Sequence, residues 1–73
     1  MSVEFSEHAK KQLKRRNISQ RDVKEAVYNP DEVLPSYRGR KLRRMRVGSK
    51  ILEVVTRTEG SKISVVTAYY LEE

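Results

Sequence analysis

The fold is decided by residues 40–58, RKLRRMRV-GS-KILEVVTRT, in which two strand-like runs flank Gly48-Ser49. Glycine at the first central position of a two-residue turn favours a type II′ β-hairpin. The pairing that this turn predicts runs outward through Val47–Lys50, Arg46–Ile51, Met45–Leu52, Arg44–Glu53 and Arg43–Val54.

Alternation of side chains along these strands separates two faces of the hairpin. One face is expected to meet the helices and carries Met45, Val47, Leu52, Val54 and Thr56. The other carries Arg44, Arg46, Glu53 and Arg57 beside Leu42, Ile51 and Val55. An anion-binding face and a simple Arg44–Glu53 salt bridge both explain the central pair. A register error of one residue would exchange the two faces.

Two helices are predicted before the hairpin. Ser6 can cap a helix that runs to about Arg16, and Asn17 tolerates the left-handed conformation that ends a helix. Ser19 opens the second helix with a capping-box spacing, and Asn29-Pro30 ends it. The residues expected to be buried are Phe5, Ala9 and Leu13 in the first helical stripe and Val23, Ala26 and Val27 in the second.

The remaining segments complete an α+β domain spanning residues 1–73. Residues 31–39 are expected to be a connector with Val33 and Leu34 packed, and residues 63–70 a further strand. A short strand at Val3-Glu4 is an additional expectation. The predicted architecture is two N-terminal helices packed on one face of a small antiparallel sheet of three to four strands.

Composition narrows the class of protein. The 73 residues include one His and no Cys, which excludes disulfides, thiolate metal sites and His-rich zinc sites. We therefore expect no metal and no other cofactor. The sequence shows no apolar run of membrane-helix length and no signal peptide, so a cytoplasmic protein without membrane contact is expected. Because a domain this small buries little surface, an oligomer or a tight partner is also expected.

The net charge of +6 is unevenly distributed. Twelve of the 16 Lys and Arg residues fall in two acid-free segments, residues 10–16 and residues 38–50. Clustered cations attract phosphates, so the pattern favours a polyanion or an acidic protein partner. Two ordinary solvated faces are the other explanation.

Metal-free RNA cleavage fits these residue types, because the ribose 2′-OH serves as the nucleophile. His8 is the only side chain whose ordinary pKa lies near neutrality, which suits a general base or acid. Arg44, Arg46 and Arg57 can clamp a phosphate, and Tyr69 or Tyr70 can stack on a base. An exposed residue of the first helical turn is the other interpretation of His8.

A set of short motifs covers about residues 4–70: Ser6-x-His8-Ala9-x-x-Gln12, Arg16-Asn17-Ile18-Ser19, Asn29-Pro30-Asp31-Glu32-Val33 and Val65-Val66-Thr67-Ala68-Tyr69. These resemble a family of small bacterial and archaeal domains grouped with the barnase, colicin and RelE-like fold, alongside the ParE and BrnT toxins. The resemblance implies a metal-independent ribonuclease toxin with an antitoxin, and carries over His8, Arg46, Thr67 and Tyr69. Gln12 stands where that family usually has Arg, which removes a cation from the implied site.

The sequence is therefore compatible with three functions. The first is a toxin-like ribonuclease with His8, Arg44, Arg46, Thr67 and Tyr69 as catalytic residues. The residues expected to bind RNA are Lys11, Arg15, Arg38, Arg40, Lys41, Arg43 and Arg57. The second function is a non-catalytic RNA- or DNA-binding module derived from the same fold, and the third is an interaction domain that docks an acidic protein.

Overall fold

The computed structural model describes residues 2–71 as two helices, five strands and one short 3₁₀ turn. The ends of the predicted domain, residue 1 and residues 72–73, lie outside the described residues. The helices are α1 (Glu7–Arg15) and α2 (Gln20–Tyr28). The strands are β1 (Ser2–Phe5), β2 (Glu32–Pro35), β3 (Arg40–Val47), β4 (Lys50–Glu59) and β5 (Lys62–Leu71), and the 3₁₀ turn is Tyr37–Gly39.

The sheet has five strands in the order β1-β5-β4-β3-β2, and β1 runs parallel to β5. The prediction of three to four antiparallel strands is therefore wrong in number and in direction, although the short N-terminal strand is present. Strand β2 is a further difference from the prediction, because it lies in the segment expected to be a connector. It is a four-residue edge strand ending at Pro35, a place where proline is tolerated because no neighbour needs its N–H. Val33, expected to be packed, is 45% exposed.

The hairpin register is confirmed at all five predicted pairs. Of the two turn residues, Gly48 alone has a positive φ (62°), as a type II′ turn requires. The pairing continues to Arg40 opposite Arg57. The turn therefore fixes which β3 and β4 side chains share a face.

The predicted helix ends are also confirmed. Ser6 Oγ accepts a hydrogen bond from the Ala9 N–H, and Ser19 Oγ accepts one from the Asp22 N–H, each at 3.0 Å. Asn17 has φ 57°, and the Ile18 N–H donates to the Leu13 carbonyl, which is the bond of a Schellman motif. This motif turns the chain directly from α1 into α2.

Both helices pack on one side of the sheet. The buried residues that form this core come from both helices, the junction between them, β4 and β5: Leu13, Ile18, Val23, Ala26, Val27, Leu52, Val54, Ile63, Val65 and Ala68. The opposite side of the sheet, here called the open face, is covered by neither helix.

A β-bulge in β5 decides which residues of that strand reach the open face. Thr56 pairs with Val65 whereas Val55 pairs with Thr67, so Val66 is the extra residue. The bulge moves Thr67 and Tyr69 to the open face. Without it, both side chains would point toward the helices.

Candidate functional site

One residue from each of four strands forms a polar row across the open face, here called the Glu53 row. Glu32 of β2 lies opposite Arg44 of β3, Arg44 lies opposite Glu53 of β4, and Glu53 lies opposite Tyr69 of β5. Glu53 Oε1 accepts from Arg44 Nε at 2.7 Å, and Glu53 Oε2 accepts from the Tyr69 hydroxyl at 2.5 Å. Arg44 Nη1 also reaches Glu32 Oε1 at 3.4 Å.

Glu53 is the centre of this row and is only 4% exposed, although no helix covers it. Its two oxygens are engaged by a guanidinium and a phenol, which offsets the cost of burying the carboxylate. The Arg44–Glu53 salt bridge is thus present, and the charge of Arg44 is shared between two carboxylates. Arg44 is consequently a poor candidate for clamping a phosphate alone.

The environment of Tyr69 keeps its hydroxyl protonated. Burial raises the pKa of Tyr69 to about 12, and the hydrogen bond and negative charge of Glu53 add to this, while Arg44 and Arg16 oppose it. The hydrogen bond to Glu53 is also the main cause that raises the pKa of Arg44. Tyr69 therefore donates a hydrogen bond to Glu53 rather than acting as a base.

A second polar group lies at the edge of β5, beyond the end of β1. Because β1 stops at Phe5, opposite Val65, α1 rather than a strand borders the next part of β5. Gln12 Oε1 accepts from the Thr67 hydroxyl at 2.6 Å. Arg16 Nη1 donates to the Ala68 carbonyl at 2.9 Å and to Thr67 Oγ1 at 3.0 Å. Thr67 thus joins α1 to β5.

His8 belongs to the same stripe of the first helix. It precedes Gln12 by four residues and Arg16 by eight, which places all three on one side of α1. His8 is exposed, and its side chain has no hydrogen-bond partner among residues 2–71. His8 therefore shares a helix face with the two residues that contact β5, and its imidazole is accessible.

Arg46 and Arg57 lie on the open face without a carboxylate partner within the described part of the chain. Arg46 borders a small cleft of about 160 Å³ whose polar lining residues are Asp31, Glu32 and Arg44. Arg46 lies on β3, two strand spacings or about 10 Å from β5. The structure therefore does not bring Arg46 into one cluster with His8.

Four of the predicted RNA-binding residues lie away from the open face. Lys11 and Arg15 each follow a buried residue of α1 by two positions, about 200° around the helix, so they face solvent. Lys41 and Arg43 alternate onto the helix-bearing side. Arg43 donates to the Val27 carbonyl at 3.2 Å and to Thr56 Oγ1 at 3.1 Å, which makes it a tie between α2 and the sheet. These four cations therefore do not contribute to the open face.

The sequence reasoning did not assign Glu53, Glu32 or Arg16 to the site. A usable signal lies in β5, where the buried apolar residues change phase from 63 and 65 to 68 and 70. A phase change in a period-two pattern indicates a bulge, and a bulge would have placed Tyr69 opposite Glu53. The contact of Arg16 with β5 has no comparable signal.

No group of three or more His, Cys, Asp or Glu in residues 2–71 is arranged to hold a metal ion. Neither helix in this range has the length and hydropathy to cross a membrane.

The fold is an α+β domain of two helices and a five-stranded mixed sheet. A crystal structure of the ribonuclease toxin BrnT from Brucella abortus is similar to it, with a TM-score of 0.76 and 17% sequence identity over 100% of this chain and 99% of that chain. The family described as domain of unknown function DUF4258 matches residues 5–70, so the chain belongs to this family. No curated protein matches the chain.

Proposed function

We propose that the protein is a metal-independent ribonuclease of the toxin type, acting on RNA that lies along the open face. The observation that carries the proposal is the full-length similarity of its fold to a ribonuclease toxin. The uncovered sheet face with its unpaired arginines supports RNA as the ligand, since phosphates are attracted to such cations.

In the proposed reaction the ribose 2′-OH attacks the adjacent phosphorus. His8 accepts the proton of that hydroxyl, and the leaving 5′-oxygen takes a proton from water, which yields a 2′,3′-cyclic phosphate and a 5′-hydroxyl end. Arg16 lies on the same helical face as His8, and its guanidinium stabilises the negative charge on the pentacoordinate phosphate. It thereby offers at the β5 edge the cation that Gln12 does not provide.

The other predicted catalytic residues take different parts in this scheme. Arg46 lies about 10 Å from β5, so it holds a neighbouring phosphate rather than the scissile one. Arg44 and Tyr69 are bound to Glu53, and they fix the shape of the surface under the RNA. Thr67 positions Gln12 and Arg16 against β5.

The test is cleavage of single-stranded and structured RNA in the presence of EDTA by protein freed of any bound protein. His8→Ala is expected to lower kcat/KM about 10²- to 10⁴-fold, the range for loss of a general base. Arg46→Ala is expected to raise KM with little change in kcat, because it binds a phosphate in ground and transition states alike. Arg15→Ala, on the solvent side of α1, is the charge-matched control.

Three results would contradict the proposal. RNA left intact by the purified wild-type protein, or full activity in His8→Ala, excludes the proposed chemistry. Cleavage that yields 3′-hydroxyl ends excludes the cyclic-phosphate route.

A second candidate function is binding of RNA or DNA without turnover. The internal pairing of Arg44, Glu53 and Tyr69 favours it, because these groups are already engaged with one another. In that case binding weakens steeply with salt and no product appears.

The proposed protein partner is an antitoxin with an acidic surface, which would cover the open face and shield its cations. Docking of an acidic protein with no RNA function remains the third candidate. Light scattering of the protein alone and after mixing with a candidate antitoxin would measure both self-association and the complex.

A further inference from the structure

Two arginines face each other at the far end of the open face. Arg40 of β3 lies directly opposite Arg57 of β4, and neither has a carboxylate partner among residues 2–71. Like charges directly opposite each other destabilise a sheet. Arg40 Nε is in addition shielded from solvent and has no hydrogen-bond partner in this range. The pair therefore carries positive charge that no described side chain balances.

The turn before β3 displays an aromatic ring three residues before Arg40. Tyr37 is 88% exposed. The turn is closed by the Ser36 N–H, which donates to the Arg40 carbonyl at 3.0 Å. Arg38 has φ 58° and ψ 38°, a left-handed conformation that is uncommon for a residue with a side chain. Strained backbone of this kind clusters at binding sites, where it holds a side chain in place.

A shallow cleft adjoins the ring. It has a volume of about 410 Å³ and is lined by Pro35, Ser36, Tyr37 and Leu42. The chain has no acidic residue from position 33 to position 52, so no acidic residue of this segment opposes an anion there. Leu42 of this cleft lies two residues from Arg40 on the same face of β3, so an apolar cleft and two arginines share this end of the open face. This combination suits a ligand with a flat ring and a negative charge.

We infer that Tyr37, Arg38, Arg40, Leu42 and Arg57, here called the Tyr37 patch, bind one nucleotide of single-stranded RNA. The base stacks on Tyr37 over the cleft, and Arg40 and Arg57 hold the phosphate. A single strand is required, because a base within a duplex presents no free face to an aromatic ring. The inference rests on the proposed function in taking RNA as the ligand.

The patch is separate from the proposed cleavage site. The proposed cleavage site lies at the edge of β5 beside α1, whereas Arg40 lies on β3, two strand spacings or about 10 Å from β5. The nucleotide bound here therefore flanks the scissile bond and contributes affinity without touching the reacting atoms. Binding and cleavage can consequently be measured independently.

The experiment uses fluorescence anisotropy with a labelled oligonucleotide of about 12 nucleotides, a length within the usual site size for single-strand binders. Its riboses are 2′-O-methylated, so it cannot be cleaved by its own 2′-hydroxyl. Tyr37→Ala is expected to weaken binding about tenfold or more, and Tyr37→Phe to restore it, because stacking needs only the ring. A duplex of the same sequence is expected to bind Tyr37→Ala and wild type equally.

The arginine pair is tested with Arg40→Gln/Arg57→Gln against Lys11→Gln/Arg15→Gln. The two double variants lose the same charge, and the second loses it from the solvent side of α1. Loss of phosphate contacts at the patch is expected to reduce the slope of log K against log salt by about 0.7 to 1.4, with little change in the control. Circular dichroism melting checks that each variant is folded.

Several outcomes overturn the inference. These are unchanged binding by Tyr37→Ala, equal slopes for the two double variants, or a poly-glutamate peptide that binds as tightly as the oligonucleotide and with the same dependence on Tyr37. The last result would assign the patch to an acidic protein. If binding depends on Tyr37 but an unmodified RNA is not cleaved, the ribonuclease proposal is refuted and the Tyr37 patch is supported. If an unmodified RNA is cleaved but binding does not depend on Tyr37, the Tyr37 patch is refuted and the ribonuclease proposal is supported.

Discussion

Two rows of side chains on the open face differ in how their charges are paired. In the Glu53 row, acid and base alternate across three strands, and the central carboxylate is saturated by Arg44 and Tyr69. Four residues away along β3 and β4, Arg40 and Arg57 repel each other and have no acidic partner in the described chain. The comparison separates a row that stabilises the sheet from one that weakens it.

Removal of the central acid tests how much the Glu53 row stabilises the protein. Glu53→Gln is expected to lower the free energy of unfolding by about 2 kcal/mol, because hydrogen bonds to a buried charge contribute more than neutral ones. Glu32→Gln is the control in the same row. Glu32 is 55% exposed and 3.4 Å from Arg44, so its loss is expected to cost less than about 0.5 kcal/mol. Urea denaturation measures both, and equal costs would show that Glu53 is not the centre of the row.

The next prediction concerns the hydroxyl at the end of the Glu53 row. Tyr69→Phe is expected to cost about 1 kcal/mol at neutral pH, through the lost hydrogen bond to Glu53. The folded-state pKa of Tyr69, about 12, lies above the ordinary value of 10.0, so the stability it contributes is complete below pH 10 and is lost as the pH rises to 12.

Ultraviolet titration of the phenolate band measures this effect. The wild-type protein should contain one tyrosine that ionises near pH 12, and Tyr69→Phe should lack it. The variant should also lose less stability than wild type between pH 10 and pH 12. Identical alkaline titrations of the two proteins would contradict the environment assigned to Tyr69.

The contrast between the rows could be predicted only in part from the sequence. The two-residue turn at Gly48-Ser49 fixed the register of β3 and β4, so the Arg44–Glu53 pair followed from local rules. The helix caps at Ser6 and Ser19 followed equally, because their partners lie three residues away. Interactions between neighbours in sequence or across a tight turn carry their own signal.

Features that depend on distant segments could not be predicted in the same way. The Tyr69–Glu53 bond needs the bulge at Val66, which reverses the faces of the second half of β5. The Arg16 contact needs β1 to end at Phe5 and expose the edge of β5. Strand β2 has too few apolar residues to be distinguished from a loop until the edge of β3 is present.

The smallest expected effect tests the Arg40–Arg57 pair from the side of stability. Arg57→Thr removes a like charge opposite Arg40 and introduces a good strand former, so the free energy of unfolding is expected to rise by about 0.3 kcal/mol. Arg46→Thr is the control, because it makes the same substitution opposite the uncharged Ile51. It therefore measures the effect of strand propensity and leaves the repulsion between Arg40 and Arg57 unchanged. The difference between the two variants should shrink at high salt, because exposed charges are screened. A variant that gains stability while losing RNA affinity would show that Arg57 is kept for binding, whereas a loss of stability would mean that the two guanidinium groups do not repel.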